Sequence, residues 1–206
     1  MSHSPADELA AISLTDLPTA DLPTLRKSLL ALICQSAYKE GDFTLSSGQK
    51  SDYYINGKQV TLHAQGGLMV ARLLLAMLPA EAVAVGGLTL GADPMVSAVS
   101  IAGVYAGRPV TPLIIRKQAK GHGTQAYIEG PTLPAGSVVV ILEDVVTTGG
   151  SALKAVERLQ AAGYVVNDIL AMVDRQQGGE ALYQEKGLNF RPIFTIDEIK
   201  AYARSR

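Results

Sequence analysis

Apolar residues fall in short blocks along this chain, each followed by glycine, a polar cluster or a stretch of helical spacing. Leu25, Leu29, Ile33 and Ala37 recur every four residues behind Asp21 and Pro23, which predicts a helix running until Gly41. Residues 43–57 are punctuated by turns, with Tyr53, Tyr54 and Ile55 suited to a strand. Residues 63–78 predict a second, mostly apolar helix closed by Pro79. The pattern then alternates. A strand at 82–86 leads through a glycine-bearing loop to a helix opened by Pro94, with Met95, Val96, Val99 and Ala102 along it. A strand at 110–115 runs into a long polar loop at 116–130. Val138, Val139, Val140, Ile141 and Leu142 form an unbroken apolar run, as a strand covered on both faces requires, and 152–162 has helical spacing. A strand at 165–173, a short helix at 179–186 and a strand at 190–194 continue the alternation. Thr195 with Glu198 then makes a capping box for a terminal helix. Alternation of this kind predicts an α/β fold, a parallel sheet flanked by helices.

A chain of 206 residues suits one domain with a full core. Residues 1–20, rich in Ser, Ala, Pro and Asp, are expected to form a mobile or variable leader. The single domain spans 21–206, with a small N-terminal hood at about 21–60 and the core at about 61–206.

Ligands of open parallel sheets sit beyond the carboxyl ends of the strands. That rule gathers the 86–93 loop, the start of the 116–130 loop, the 143–151 segment and Asp174-Arg175-Gln176 at one rim. The 143–151 segment carries the sharpest chemistry. Glu143 and Asp144 close the apolar strand, and Thr147, Thr148, Gly149, Gly150 and Ser151 form a small-residue turn before a helix. Backbone N–H groups at a helix start, with the helix dipole behind them, make an anion cradle that glycines and hydroxyls complete. The loop is not a Walker P-loop, since Ala152 follows Ser151 where a lysine belongs, and GxGxxG is absent. Its acid pair resembles the phosphoribosyl-diphosphate (PRPP) motif of the type I phosphoribosyltransferases.

The 116–130 loop sets Arg116, Lys117, Lys120 and His122 within seven residues, with no acid before Glu129. Charge runs are usually solvated. This one follows a strand on the ligand side, and a loop longer than ~12 residues in a compact domain is characteristic of a lid or binding loop. RKQAKGHG, together with FTLSSGQKSDYYING and ILEDVVTTGGS in order, resembles the orotate phosphoribosyltransferases over about residues 43–175.

That resemblance implies transfer of the phosphoribosyl group of Mg-bound PRPP to orotate, giving orotidine 5-phosphate and diphosphate in pyrimidine nucleotide synthesis. It implies catalytic roles for Lys120, His122 and Asp144. PRPP contacts fall to Arg116, Lys117, Lys120, His122, Glu143, Asp144 and the loop of Val145, Val146, Thr147, Thr148, Gly149, Gly150 and Ser151. Orotate contacts fall to Thr147, Arg175 and Tyr54, with Ile55 beside the ring and Gly91 against diphosphate. Mg²⁺ is held mainly by substrate, with Glu143 and Asp144 reaching it through water. The family's loop closes over a neighbouring subunit, which implies a homodimer with Lys117, Lys120 and His122 acting across it and Arg116 at its own strand end. Ser46 stands where some members carry lysine, with Lys50 either a partial replacement or a solvated surface lysine, and Gly91 lies near a further lysine position of other members.

The totals narrow the field. A net charge of -1, from 18 basic and 19 acidic residues, argues against a nucleic-acid partner. The single cysteine, Cys34, excludes an internal disulfide, lies in a helical apolar pattern as a core residue, and fits a reducing, cytoplasmic compartment. No apolar run is long enough to span a bilayer. A purine phosphoribosyltransferase would give Arg175 no carboxylate to bind. A PRPP-sensing regulator would have no need of Lys120 and His122.

Overall fold

The computed structural model describes residues 12–13, 15–44, 50–120 and 127–205. Its sheet has six strands in the order β5-β4-β3-β6-β7-β8. These are β3 (Ala84–Leu88), β4 (Thr111–Ile115), β5 (Ile128–Glu129), β6 (Val139–Val146), β7 (Asp168–Asp174) and β8 (Asn189–Thr195). All neighbours are parallel except the short edge strand β5, which runs antiparallel to β4.

Period-two alternation divides the core in two. Val140 and Leu142 face one apolar cluster, built with α1 (Leu22–Leu32), α3 (Ala64–Met77), α4 (Asp93–Tyr105) and α7 (Ile196–Arg204). Val139 and Ile141 face the other, built with α5 (Gly150–Ala161) and α6 (Gly179–Glu185). The remaining helix, α2, is the short turn Lys58–Thr61. The caps agree with the sequence reading: Asp21 accepts from the Thr24 N–H at 2.7 Å, and Thr195 and Glu198 close a capping box on α7.

Several boundaries differ from expectation. The first helix does not reach Gly41; it widens into a π-helical turn over Ile33–Ala37 and gives way to strand β1, Tyr38–Thr44. β1 pairs antiparallel with β2, Lys50–Ile55, and this ribbon lies within the segment expected to form the hood. The core also reaches ahead of Asp21, because Ile12 and Leu17 are buried in it and Arg72 donates to the Leu17 carbonyl at 3.0 Å. Cys34 is half-buried, and burial pushes its thiol up to about 11, which leaves it unreactive at neutral pH.

After β4 the chain crosses back over β3 to begin β6, so the loops leaving β3 and β6 diverge. A crevice opens between them at the carboxyl ends of the strands.

Candidate active site

Two adjoining hollows occupy that crevice. One, of about 260 Å³, is walled by Glu143, the 145–152 turn, Lys154 and Tyr183. The other, of about 270 Å³, is walled by Lys58, the 88–91 turn, Lys117, Glu143, Asp144, Val145 and Ser151. Glu143, Val145 and Ser151 are common to both.

The acid pair lies inside the strand, since β6 continues through Glu143 and Asp144 to Val146 instead of stopping at Leu142. Side chains therefore leave on opposite faces of the sheet. Glu143 shares its hollow with Tyr183, whereas the Asp144 carboxylate lies between Gly57 and Gly91. A Cβ on Gly91 would stand 2.7 Å from Asp144 Oδ1, so only glycine lets that turn approach the acid. Burial and the Asp144 charge push Glu143 up to about 8, against the pull of Lys117. Burial also raises Asp144, against Lys58 and the Val145 N–H. Glu143 Oε1 and the Tyr183 hydroxyl are buried without a hydrogen-bond partner among the described residues.

The 147–151 turn takes the form an anion cradle needs. Gly149 is left-handed, with φ 86°, and α5 starts at the next residue with no acid in its first turn. Behind it lies Tyr183, whose ring would be 2.9 Å from any Cβ placed on Gly149.

Arg175 follows β7, and its N–H donates to the Val146 carbonyl at 2.9 Å. The residue is 8% exposed. Its Nε donates to the Tyr53 hydroxyl at 3.0 Å, and Nη2 reaches Ser51 Oγ at 3.5 Å. It has no ion pair with a carboxylate among the described residues. A buried guanidinium held only by hydroxyls has unused capacity for an anion.

The sequence reading places Tyr54 and Ile55 beside the orotate ring, and these two side chains leave the strand on opposite faces. Tyr54 is 43% exposed and meets Phe43, while buried Tyr53 touches Arg175. Lys50, the substitute considered for the missing lysine, donates to Thr44 Oγ1 at 2.9 Å within the β1–β2 ribbon. Lys58, which the sequence reading did not single out, lines the acid-pair hollow instead. It carries no local signal, being a lone lysine far in sequence from Asp144.

The basic loop divides. Lys117 lines the acid-pair hollow of its own chain, where the family resemblance implies action across a homodimer. Arg116 pairs with Glu129 at 3.0 Å, and Lys120, 72% exposed, lies 3.9 Å from the same carboxylate. His122 lies outside the described residues, as does Ser46.

No family model matches the chain. It is 65% identical over 182 residues to an orotate phosphoribosyltransferase of Nostoc sp., covering 88% of each protein. The corresponding enzyme of Synechocystis sp. is 59% identical, covering 95% of this chain and 98% of the relative. Among solved structures, a Mycobacterium tuberculosis orotate phosphoribosyltransferase with Fe(III) dicitrate superposes with a TM-score of 0.76 at 36% identity, covering 85% of this chain and 98% of that one. The same enzyme in complex with PRPP gives a TM-score of 0.73 at 32% identity, covering 85% and 99%.

Proposed function

The chain belongs to the orotate phosphoribosyltransferase family, and we propose that the crevice between β3 and β6 is where it joins orotate to PRPP. The reaction moves the phosphoribosyl group to orotate and releases diphosphate. The observation that carries this assignment is the acid pair, Glu143 buried and Asp144 half-buried, set between an anion cradle and a second hollow lined by Lys58 and Lys117.

Displacement at an anomeric carbon passes through an oxocarbenium-like state, with positive charge growing on the ring as the leaving group gains negative charge. Asp144 holds the ribose hydroxyls and opposes the growing ring charge. Glu143 joins it, ready to release its proton when positive charge arrives beside it. The turn from Val145 to Ser151 takes the 5-phosphate, with Thr147 on the side of the base. Lys58 and Lys117, with the open backbone at Gly91, receive diphosphate, where fixed cations stabilise the departing charge most. Arg175 grips the orotate carboxylate, and Tyr53 supports the guanidinium.

The oxygen donors Glu143 and Asp144, one with an unpartnered buried oxygen, suit Mg²⁺. No set of three or more candidate ligands gathers among the described residues, which favours a metal carried on substrate oxygens with the acids reaching it through water. Bound there, Mg²⁺ supplies positive charge to the diphosphate. No helix among the described residues is long and apolar enough to cross a membrane. With its free cysteine and slight net charge, the chain suits the cytoplasm, without membrane or nucleic-acid partners.

A homodimer is part of this proposal. On α4, Ile101, Val104 and Tyr105 are exposed at helical spacing, Tyr105 to 89%, and Leu90 and Leu62 are exposed as well. Solvent-facing apolar side chains at such spacing favour a second copy as cover. Lys120 and His122 would then serve the neighbouring site. Mixing Lys120→Ala with Asp144→Asn tests the sharing. Each parent is expected to be nearly inactive, and the equimolar mixture to recover about a quarter of wild-type turnover, since random exchange makes half the dimers hybrids and each hybrid has one intact site of two. No recovery despite proven exchange would count against a shared loop.

A further inference from the structure

The 116–130 loop is held at both ends by one side chain outside the site described above. Arg158, two turns along α5 from the phosphate cradle, donates through Nη1 to the Arg116 carbonyl and through Nη2 to the Lys117 carbonyl, the latter at 3.0 Å. Its guanidinium carbon stands 4.1 Å from the centre of the Tyr127 ring, at the other end of the loop. The loop's two ends are joined there as well, by the Arg116 N–H donating to the Tyr127 carbonyl at 2.7 Å.

We infer that Arg158 is a positioning residue for Lys117: by gripping the carbonyls on either side of the Lys117 Cα, it aims that ammonium at the acid-pair hollow. The reason is geometric. The peptide planes flanking an α-carbon set its φ and ψ, and these set the direction of its Cβ. A planar fork can hold two successive carbonyls at once, whereas an ammonium is a point donor. Stacking on Tyr127 fixes the plane of the fork. Because α5 also begins at the cradle, one rigid helix of about 1.5 Å rise per residue ties Lys117 to the bound phosphate. The Lys117 ammonium already acts on Glu143, holding its carboxyl lower than burial alone would leave it.

This inference rests on reading Lys117 as a cation of the PRPP site, and a double-mutant cycle separates the two. Lys117→Ala is expected to lower kcat/KM for PRPP about a hundredfold, and Arg158→Ala about tenfold. The double variant should match Lys117→Ala alone within about twofold, because the second loss acts through the first. Arg158→Lys, keeping the charge but not the fork, should recover less than half of the missing activity. If the losses multiply to about a thousandfold, or Arg158→Ala retains wild-type kinetics, Arg158 does not position Lys117. Melting temperatures accompany every assay. Should Arg158→Ala fail to fold, Arg158→Lys with and without Lys117→Ala runs the same cycle. A wild-type protein that releases no diphosphate with orotate would overturn the functional reading instead.

Discussion

Replacing Asp144 with Asn is expected to lower kcat about a thousandfold and leave the melting temperature unchanged or higher. The carboxylate is enclosed by Gly57 on one side and Gly91 on the other, and Oδ1 accepts from the Val145 N–H at 3.0 Å. Asn has the same shape and keeps that acceptor, so packing around β6 survives. What disappears is a negative charge facing a ring that becomes positive as diphosphate departs. Preorganised charge of this kind is worth about 10²–10³ in rate per group in a water-poor site. Stability moves the other way. Burial already pushes the Asp144 carboxyl above its ordinary range, which means the folded protein holds the anion at a cost that the neutral amide avoids. Steady-state kinetics alongside thermal unfolding checks both halves. A kcat within tenfold of wild type would show that the developing charge is met elsewhere.

Arg175→Ala should raise KM for orotate about a hundredfold while the PRPP dissociation constant stays within about twofold. A bidentate pair between guanidinium and carboxylate contributes about 1.5–3 kcal/mol per hydrogen bond when shielded from water. Arg175 is poised for it, buried and held by the Tyr53 and Ser51 hydroxyls without a carboxylate of its own. The PRPP walls lie on β6, α5 and the 88–91 turn and do not include Arg175, which is why the sugar donor should not register the change. Arg175→Lys should restore little, since the ammonium lacks the fork. Initial rates against orotate and calorimetric titration of PRPP separate the two substrates. A matching rise in the PRPP dissociation constant would place Arg175 in the general framework of the site instead.

How much of this was readable in advance depended on whether the signal was local. The β6 strand, its acids and the glycine turn before α5 are contiguous, and a doubly covered strand needs an unbroken apolar run. The end of β6 is not legible for the same reason, because polarity begins at Glu143 while the backbone pairing continues to Val146 beside Asp174. Strand β1 reads YKEGDFT, charged and broken by a glycine, and it exists through pairing with β2, which no local periodicity announces. Tyr53 and Tyr54 lay in the predicted strand, but alternation fixes a period and not a phase. Which ring turns inward depends on the face the hairpin lays over the core. Lys58 and Tyr183 reach the crevice from distant parts of the chain, and Arg158 meets the Lys117 backbone 41 residues away, so only the topology brings these contacts together.

One assay bears most directly on the claim that this crevice transfers phosphoribosyl to a pyrimidine carboxylate. Purified protein, supplied with Mg²⁺ and PRPP, is offered orotate, uracil, hypoxanthine and adenine in turn while diphosphate is followed. The expected result is diphosphate in step with orotidine 5-phosphate from orotate, and none above background from the other bases. Release with hypoxanthine or adenine in place of orotate, or no release with any base, would contradict it.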